Sequence, residues 1–337
     1  MLEMFNVYLP IAELHFNAFI LVAIGFSVGV LGGFFGVGGA WVVTPALNIF
    51  GFPMAYAIGT DLAHIFGKSI VATAKHRKMG NVDMKLGFLS IIGSVIGVEA
   101  GAQTVMWLTA KGFAGPVVRY TYMLLLFGLG IYMLYDYATK DKRAAAKAAK
   151  TANPGAAVMA PRKAWNLPPM VHFPVSGITI SFWTVMGVFF FTGYLSGFLG
   201  VGGGFIRMPA LIYLIGCPTA IAVGTDLFSV LFSGAYGCWT YGVKGAVDII
   251  AALYMLVGAS IGAQLGVTAV KYIRGYGIRL LFAIMIILAG TSVALKQFNL
   301  TTAAAWLVMS AALGMCAIIM FKLWVGFKKE KAEKMGL

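Results

Sequence analysis

The stretch of sequence that decides the fold occurs twice in the chain. Gly33 to Leu47 reads GFFGVGGAWVVTPAL and Gly197 to Leu211 reads GFLGVGGGFIRMPAL, with nine of 15 positions identical at an offset of 164. Pro53 to Leu62 then reads PMAYAIGTDL and Pro218 to Leu227 reads PTAIAVGTDL, with seven of ten positions identical. Compositional bias alone does not place a Gly-Thr-Asp triplet twice at distances from a glycine cluster that differ by a single residue. The chain therefore consists of two homologous repeats.

The composition around these stretches is typical of a membrane protein. Of the 337 residues, 60% are apolar and 11% are charged, and the mean hydropathy is +0.89. Residues 14–60, 176–206, 249–270 and 297–321 contain no Asp, Glu, Lys or Arg. A helix needs about 20 apolar residues to cross a bilayer, so we predict an all-α polytopic membrane protein. This composition excludes a soluble enzyme, a nucleic-acid-binding domain and a disordered chain, and the apolar runs are too long for a porin-type barrel.

Each repeat divides into the same series of predicted helices. In the first repeat they lie near 16–36, 40–50, 54–78, 84–109 and 117–138. In the second they lie near 176–200, 204–215, 218–243, 247–270 and 277–295, and a last span near 301–326 has no partner. We therefore predict a first repeat over 1–138, a basic linker over 139–175, a second repeat over 176–296, and an additional helix with a basic tail over 297–337.

The short helices near 40–50 and 204–215 are candidates for a substrate site. Each follows a glycine cluster and contains a proline, and these residues free backbone N–H and C=O groups that a bilayer tolerates only inside protein or along a cavity. Paired interruptions at equivalent points of two repeats indicate where a transporter binds its substrate. Close packing on small residues is the alternative interpretation. The glycines in question are Gly36, Gly38, Gly39, Gly200, Gly202 and Gly203.

The distribution of basic residues predicts repeats of inverted orientation. The loop after 54–78 is rich in Lys and Arg, whereas its counterpart in the second repeat carries only Lys244. Placing the basic loops inside, by the positive-inside rule, also places the 139–175 linker and the C-terminus in the cytoplasm and the N-terminus outside. The pattern is consistent if 40–78 and 204–243 each enter and leave on one side, so that each half crosses three times.

Charged residues in the predicted spans are functional candidates, because a charge at the centre of a span costs roughly 2.5–3.5 kcal/mol. They are Asp61, His64, Lys68, Arg207 and Asp226. We expect Lys68 and Arg207 to attract an anion together with the glycine-freed N–H groups, and Thr60 and Thr225 to contribute hydroxyls. We expect Asp61, His64 and Asp226 to carry a coupling proton. Two alternatives remain open: a structural Asp226–Arg207 salt bridge, and helix N-capping by Asp61 and Asp226.

The remaining motifs do not support catalysis. Gly67-Lys68-Ser69 lacks the glycine that a phosphate loop requires five residues earlier, and the glycine clusters lack dinucleotide-binding spacing. No metal-ligand spacing or nucleophile–base arrangement occurs, so we expect no enzyme activity, no metal and no cofactor.

The duplicated glycine cluster and its two prolines resemble the TauE/SafE family of sulfite exporters, also called the toluene-sulfonate uptake permease family. The likeness extends from about 17 to 295 and carries over Gly36, Gly38, Gly39, Pro45 and their counterparts Gly200, Gly202, Gly203 and Pro209. Ala40 stands where the motif has its last glycine. The resemblance implies a multi-pass secondary carrier of the inner (plasma) membrane for sulfur-containing anions such as sulfite, thiosulfate or an organosulfonate like sulfoacetate.

We therefore expect a secondary carrier for a small sulfur oxyanion or sulfonate, with protons as coupling ion and the lipid bilayer as its surroundings. A passive anion channel, and a membrane-embedded binding or accessory subunit, are the alternatives. The identity of the anion, the direction of transport and the oligomeric state are left open by the sequence.

Overall fold

The computed structural model describes residues 6–36, 40–139, 167–200, 203–273 and 276–334. In the first repeat these form β1 (Asn6–Leu9), β2 (Leu14–Asn17), α1 (Ala18–Phe35), α2 (Ala40–Ile49), α3 (Met54–Lys78), α4 (Met84–Ala110) and α5 (Ala114–Ala138). In the second they form β3 (Met170–Phe173), β4 (Ile178–Ser181), α6 (Phe182–Leu199), α7 (Gly204–Ala210, continued by a π-helical turn over Leu211–Ile215), α8 (Thr219–Val243), α9 (Ile249–Ala269) and α10 (Tyr276–Gln297). The additional helix is α11 (Thr301–Lys334).

The predicted helical membrane fold is confirmed. Within the described residues, eight helices are long and apolar enough to cross a membrane: α1, α4, α5, α6, α8, α9, α10 and α11. Most predicted helix bounds agree with the observed ones to within about three residues, because glycines, prolines and charges mark the ends locally. The exceptions are α6, which begins at Phe182 because Ile178–Ser181 forms a strand, and α11, which continues to Lys334.

Helices of one repeat pack mainly against helices of the other. Along α1 and α9, Gly25, Gly29 and Gly33 lie against Met255, Ala259 and Ala263 in turn, so these two helices run parallel. The counterpart pair, α6 and α4, packs in the same way through Gly193 on Ser94 and Gly197 on Val98. A methyl group at any of these glycines would overlap backbone of the facing helix, so the small residues here permit close packing, as in other membrane helix pairs.

Equivalent helices of the two repeats pair in antiparallel directions. On α3 and α8, Gly59, Leu62 and Ile65 lie against Tyr241, Gly237 and Gly234, so residue numbers rise on one helix as they fall on the other. Helices α5 and α10 also pair antiparallel, with Gly130 on Ile287 and Gly290 on Leu126. In these two pairs, the equivalent helices therefore run in opposite directions.

The segment 40–78 leaves the end of α1 as the short helix α2 and comes back to that level as the long helix α3. The 25 residues of α3 extend about 37 Å at about 1.5 Å per residue. The ring of His76, near the end of α3, hydrogen-bonds the Gly33 carbonyl near the end of α1 (3.2 Å). Helix α3 is therefore long enough to cross a membrane. The short helix α2 leads from the end of α1 back to the start of α3. The charged residues in the middle of α3 do not shorten the helix, because they are buried inside the protein rather than exposed to lipid.

Two small β-hairpins precede the repeats and were not predicted. Strands β1 and β2 pair Tyr8 with His15, and β3 and β4 pair His172 with Thr179. Each hairpin is tied to the other repeat: the backbone N–H of Ser176 donates to Asp83 (2.9 Å) and that of Ile11 donates to Asp248 (3.2 Å). Since β3 lies inside the predicted 139–175 linker, the second repeat as folded begins before residue 176.

Candidate functional site

The glycine clusters end α1 and α6 in left-handed backbone conformations. Gly36 has a φ of 78° and donates its N–H to the Gly32 carbonyl, and Gly200 has a φ of 76° and donates to the Ser196 carbonyl. A β-carbon at Gly36 would lie 2.6 Å from the Cα of Val223, and one at Gly200 would lie 2.9 Å from the Cα of Ile58. Each break therefore lies against the long helix of the other repeat.

Three of the cluster glycines cannot be placed. Gly38, Gly39 and Gly202 lie outside the described residues. Gly203, the first residue described after the second break, again has a left-handed φ of 77° and precedes α7. A β-carbon at Gly203 would lie 2.8 Å from a terminal nitrogen of Arg207, so this break adjoins the arginine.

The first repeat holds a buried polar cluster between α2 and α3. The Thr44 hydroxyl donates to Asp61 (2.9 Å), and the His64 Nδ1 lies 3.4 Å from the same carboxylate. Asp61 and His64 are fully buried, and Lys68 is 1% exposed. Within the described part of the chain, the Lys68 ammonium and the His64 Nε2 have no hydrogen-bond partner. An unsatisfied buried polar group is costly, so a bound species that hydrogen-bonds these two groups would stabilise the cluster.

The second repeat holds a counterpart cluster between α6, α7 and α8. A terminal nitrogen of Arg207 lies 3.6 Å from Asp226, and both side chains are fully buried. The Arg207 Nε donates weakly to Thr192 (3.4 Å), and the guanidinium lies 5.5 Å from the ring centre of Phe189. The ion pair that the sequence left open therefore exists. Among the described residues, however, neither terminal nitrogen nor either carboxylate oxygen makes a hydrogen bond, so the pair lacks bidentate geometry.

The alternative in which the two aspartates cap helices is wrong. Asp61 lies inside α3 and Asp226 inside α8. The N-caps of their neighbours are instead Asp83 and Asp248, whose side chains accept from the N–H groups of Leu86 and Ala251. The Thr-Asp dipeptide resembles a cap in sequence, but the helices already begin at the preceding prolines.

The hydroxyls of Thr60 and Thr225 hydrogen-bond the starts of helices in the opposite repeat. The Thr60 hydroxyl accepts from the backbone N–H of Asp248 (2.9 Å), and the Thr225 hydroxyl accepts from that of Asp83 (2.9 Å). Each hydroxyl therefore holds the first residue of a helix in the other repeat. The substrate role expected of these threonines stays a prediction, because a hydroxyl that accepts from an N–H still has a proton to donate.

The structure does not bring the two aspartates together. The antiparallel register of α3 and α8 places Lys68 level with Ser233, its own repeat counterpart. Asp61 and Asp226 then lie on opposite sides of that level, roughly 20 Å apart along the helix axis at about 1.5 Å per residue. The predicted site residues thus form two clusters, with Lys68 near the centre of the molecule.

Two buried tyrosines were missed in the sequence. The hydroxyls of Tyr122 and Tyr241 donate to the carbonyls of Leu199 and Gly197, both at 2.7 Å. They hold the end of α6 at its break, and Tyr122 also lies beside Thr44. A tyrosine inside a predicted apolar helix was the available signal, since a buried hydroxyl needs a partner.

Comparison with known proteins agrees with this architecture. The profile of the family described as sulfite exporter TauE/SafE matches residues 21–293. The probable membrane transporter protein YunE of Bacillus subtilis is 26% identical over 279 residues, which cover 80% of this chain and 95% of YunE. A probable membrane transporter protein of Methanocaldococcus jannaschii is 28% identical over 265 residues, 74% of this chain and 84% of its own.

No solved structure matches the chain significantly. The family profile nevertheless spans both repeats and both breaks. The chain therefore belongs to the TauE/SafE sulfite exporter family of membrane transporters.

Proposed function

We propose that this protein is a secondary carrier, rather than an enzyme, for a small sulfur-containing anion: sulfite, thiosulfate or an organosulfonate such as sulfoacetate. The observation that carries the proposal is the pair of buried cations, Lys68 and Arg207, whose terminal N–H groups have no hydrogen-bond partner in the described part of the chain. An oxyanion supplies the hydrogen-bond acceptors that both groups lack and, for Lys68, a counter-charge as well. The membership in a transporter family supports movement of the anion rather than storage.

The anion would bind between the two helix breaks. Each break faces the long helix of the opposite repeat, where the polar clusters lie. Glycine-freed backbone N–H groups can supplement the two cations, since such groups form concave sites for anions. Lys68 is buried near the level where the repeats are related, so an anion would reach it from either side only as the repeats move.

Alternating access would follow from an inverted relation between the repeats. Antiparallel pairing of α3 with α8 and of α5 with α10 supports inverted repeats, with the N-terminus outside and the linker and C-terminus in the cytoplasm of a cell bounded by an inner (plasma) membrane. In such carriers, one repeat rocks against the other around a fixed site.

Asp61, His64 and Asp226 would carry the coupling proton. Asp61 and His64 share a hydrogen bond in the same cluster as Lys68, so a proton there changes the charge that the anion meets. A proton on Asp226 would likewise change the net charge beside Arg207. Coupling to a proton gradient would then drive the anion against its own gradient.

The test is flux in proteoliposomes loaded with or without a pH gradient, using labelled sulfite, thiosulfate and sulfoacetate. Saturable flux of one anion that the gradient accelerates supports the proposal. Flux that does not saturate contradicts it in favour of a passive channel. Absence of flux from folded protein that still binds one of the anions contradicts it in favour of a binding or accessory subunit.

Proton coupling is tested separately with Asp61→Asn. This variant should exchange labelled for unlabelled anion at a rate near that of the unaltered protein but lose the acceleration by a pH gradient. Retained acceleration in Asp61→Asn, His64→Gln and Asp226→Asn alike would contradict the assignment of these residues.

A further inference from the structure

His76 holds the first helix break through a carbonyl group at the end of α1. The last carbonyl groups of a helix have no intrahelical partner, and the interior of a bilayer offers them no water. At this end the N–H of Gly36 bonds the Gly32 carbonyl. The next carbonyl, that of Gly33, accepts from Nε2 of His76 (3.2 Å), whose ring is fully buried. This hydrogen bond therefore ties the end of α1 to α3.

The second break has the same contact with a different side chain. Tyr241 is the repeat counterpart of His76, at an offset of 165, and its hydroxyl donates to the Gly197 carbonyl (2.7 Å). Gly197 is in turn the counterpart of Gly33, at an offset of 164. The contact is thus duplicated with the fold, and only the donor differs: an imidazole at the first break and a phenol at the second.

This difference matters because an imidazole titrates near neutral pH and a phenol does not. A free imidazole has a pKa of about 6.5, and a free phenol has a pKa of about 10. A carbonyl only accepts, so Nε2 of the neutral His76 ring carries the proton and Nδ1 carries none. Nδ1 is buried and has no hydrogen-bond partner in the described part of the chain. A second proton on this ring would bury a charge and a donor that has no acceptor.

The groups around the ring supply no counter-charge within the described residues. Helix α1 contains no charged residue, and neither does α9. The charged groups on the other segments around it are Lys68, Lys75, Arg77 and Lys78 on α3, Arg207 on α7, Asp226 on α8, Asp83 and Lys85 at the start of α4, and Lys271 after α9. Asp226 lies 3.6 Å from Arg207, and Asp83 accepts from Ser176 (2.7 Å). In the described ranges, no carboxylate lies within 4 Å of the His76 ring.

We propose that His76 is a positioning residue of the first break, which its neutral ring holds in place and its protonated ring releases. The Gly33 carbonyl lies one turn before Gly36, where the left-handed turn begins, so the hydrogen bond determines the orientation of the break. Tyr241 holds the second break over the same pH range without titrating. In the orientation proposed above, His76 lies toward the cytoplasm, so cytoplasmic acidity acts on the first break alone. The proposal rests on the proposed function only for its effect on transport.

The test is hydrogen–deuterium exchange of the backbone amides at the ends of α1 and α6, which needs neither an anion nor flux. Exchange is measured by mass spectrometry on the purified protein and on His76→Gln, whose amide still donates but does not titrate. One pH unit below a pKa of about 6.5, about a tenth of free imidazole rings are neutral. The exchange rate at the end of α1, relative to that of His76→Gln, should therefore rise about tenfold between about pH 8 and about pH 5.5.

The second repeat supplies the matched variants. Tyr241→His should make exchange at the end of α6 depend on pH in the same way. His76→Phe and Tyr241→Phe remove the donor, so each should raise exchange at its own break equally at both pH values. Size-exclusion chromatography and thermal unfolding verify folding, and the His76→Gln comparison stands on its own if a Phe variant does not fold.

Two results would overturn the role of His76. One is an exchange rate, relative to His76→Gln, that is the same at both pH values. The other is a folded His76→Phe variant whose exchange at the end of α1 is unaltered. Absence of anion flux with the pH-dependent exchange intact would contradict only the carrier function, whereas normal flux with pH-independent exchange would contradict only the role of His76.

Discussion

The two repeats share a backbone frame but place their buried cations on different elements. In the first repeat, Lys68 lies on the long helix α3, and the short helix α2 has Val43 where the second repeat has Arg207. In the second, Arg207 lies on the short helix α7, and the long helix has Ser233 where the first repeat has Lys68. Duplicated glycines, prolines and N-cap aspartates therefore determine the frame, while the charged groups differentiate one polar cluster from the other.

This difference leaves the two cations in different electrostatic states. Arg207 has Asp226 at 3.6 Å, whereas Lys68 has no hydrogen-bonding or ion-pair partner among the described residues. Removing one charge of an ion pair leaves the other charge buried without a counter-charge. Removing a charge that has no ion-pair partner does not have this effect. The variants below use this contrast.

The largest effect is expected for Arg207→Gln, because it leaves Asp226 buried without its cation. Breaking one side of a buried ion pair destabilises a protein by about 3–5 kcal/mol. The double variant Arg207→Gln/Asp226→Asn should recover most of that loss in thermal unfolding but still lack anion transport. Recovery of transport together with stability would show that Arg207 serves packing alone.

Lys68→Met tests the other cation and should act in the opposite way on stability. Since the ammonium has no partner in the described chain, its removal should leave the melting temperature unchanged or raised. Transport should fall by roughly 100-fold, the loss expected for a charged hydrogen bond of about 3 kcal/mol. Ser233→Ala, at the counterpart position, is the matched control and should transport at a near-normal rate; equal losses in both would count against a central role for Lys68.

Gly36→Ala and Gly200→Ala test the breaks themselves. A left-handed non-glycine residue costs roughly 1–2 kcal/mol, and overpacking against Val223 or Ile58 adds about 1–3 kcal/mol. Gly80→Ala is the control. Gly80 has a φ of 71° but open space around its Cα, so this substitution adds backbone strain without steric overlap. Equal destabilisation at all three positions in denaturation experiments would show that the close approach of the breaks to the opposite repeat is unimportant.

The smallest effect is expected for Thr60→Val and Thr225→Val. Each removes the acceptor of a buried backbone N–H at the start of a helix in the other repeat, at a cost of about 1–3 kcal/mol. Because the two contacts are equivalent, the two variants should lose similar stability and retain anion affinity. A loss of anion affinity in only one of the two variants would indicate that its threonine contacts the substrate.

The helices and the duplication could be predicted from local signals. Glycine and proline breaks, charge-free runs and the Gly-Thr-Asp repeat each act within a few residues, so the bounds of α3, predicted as 54–78, agree with the structure. The two β-hairpins had no comparable signal, since each depends on contacts to Asp83 or Asp248 that are distant in the chain. Asp61 and Asp226 looked like caps because a cap motif is only two residues long and does not report where its helix begins.

The sequence by itself determined that the chain crosses a membrane several times, is built of two repeats, and contains charges that protein must bury. These properties follow from composition and from short-range backbone preferences. Only the tertiary structure decided that Asp61 and Asp226 lie in separate clusters, that Lys68 lies about level with Ser233, and that Thr60 and Thr225 hydrogen-bond helix starts in the opposite repeat. Each of these depends on which helices pair and in which direction, and that is set by packing between residues far apart in the chain.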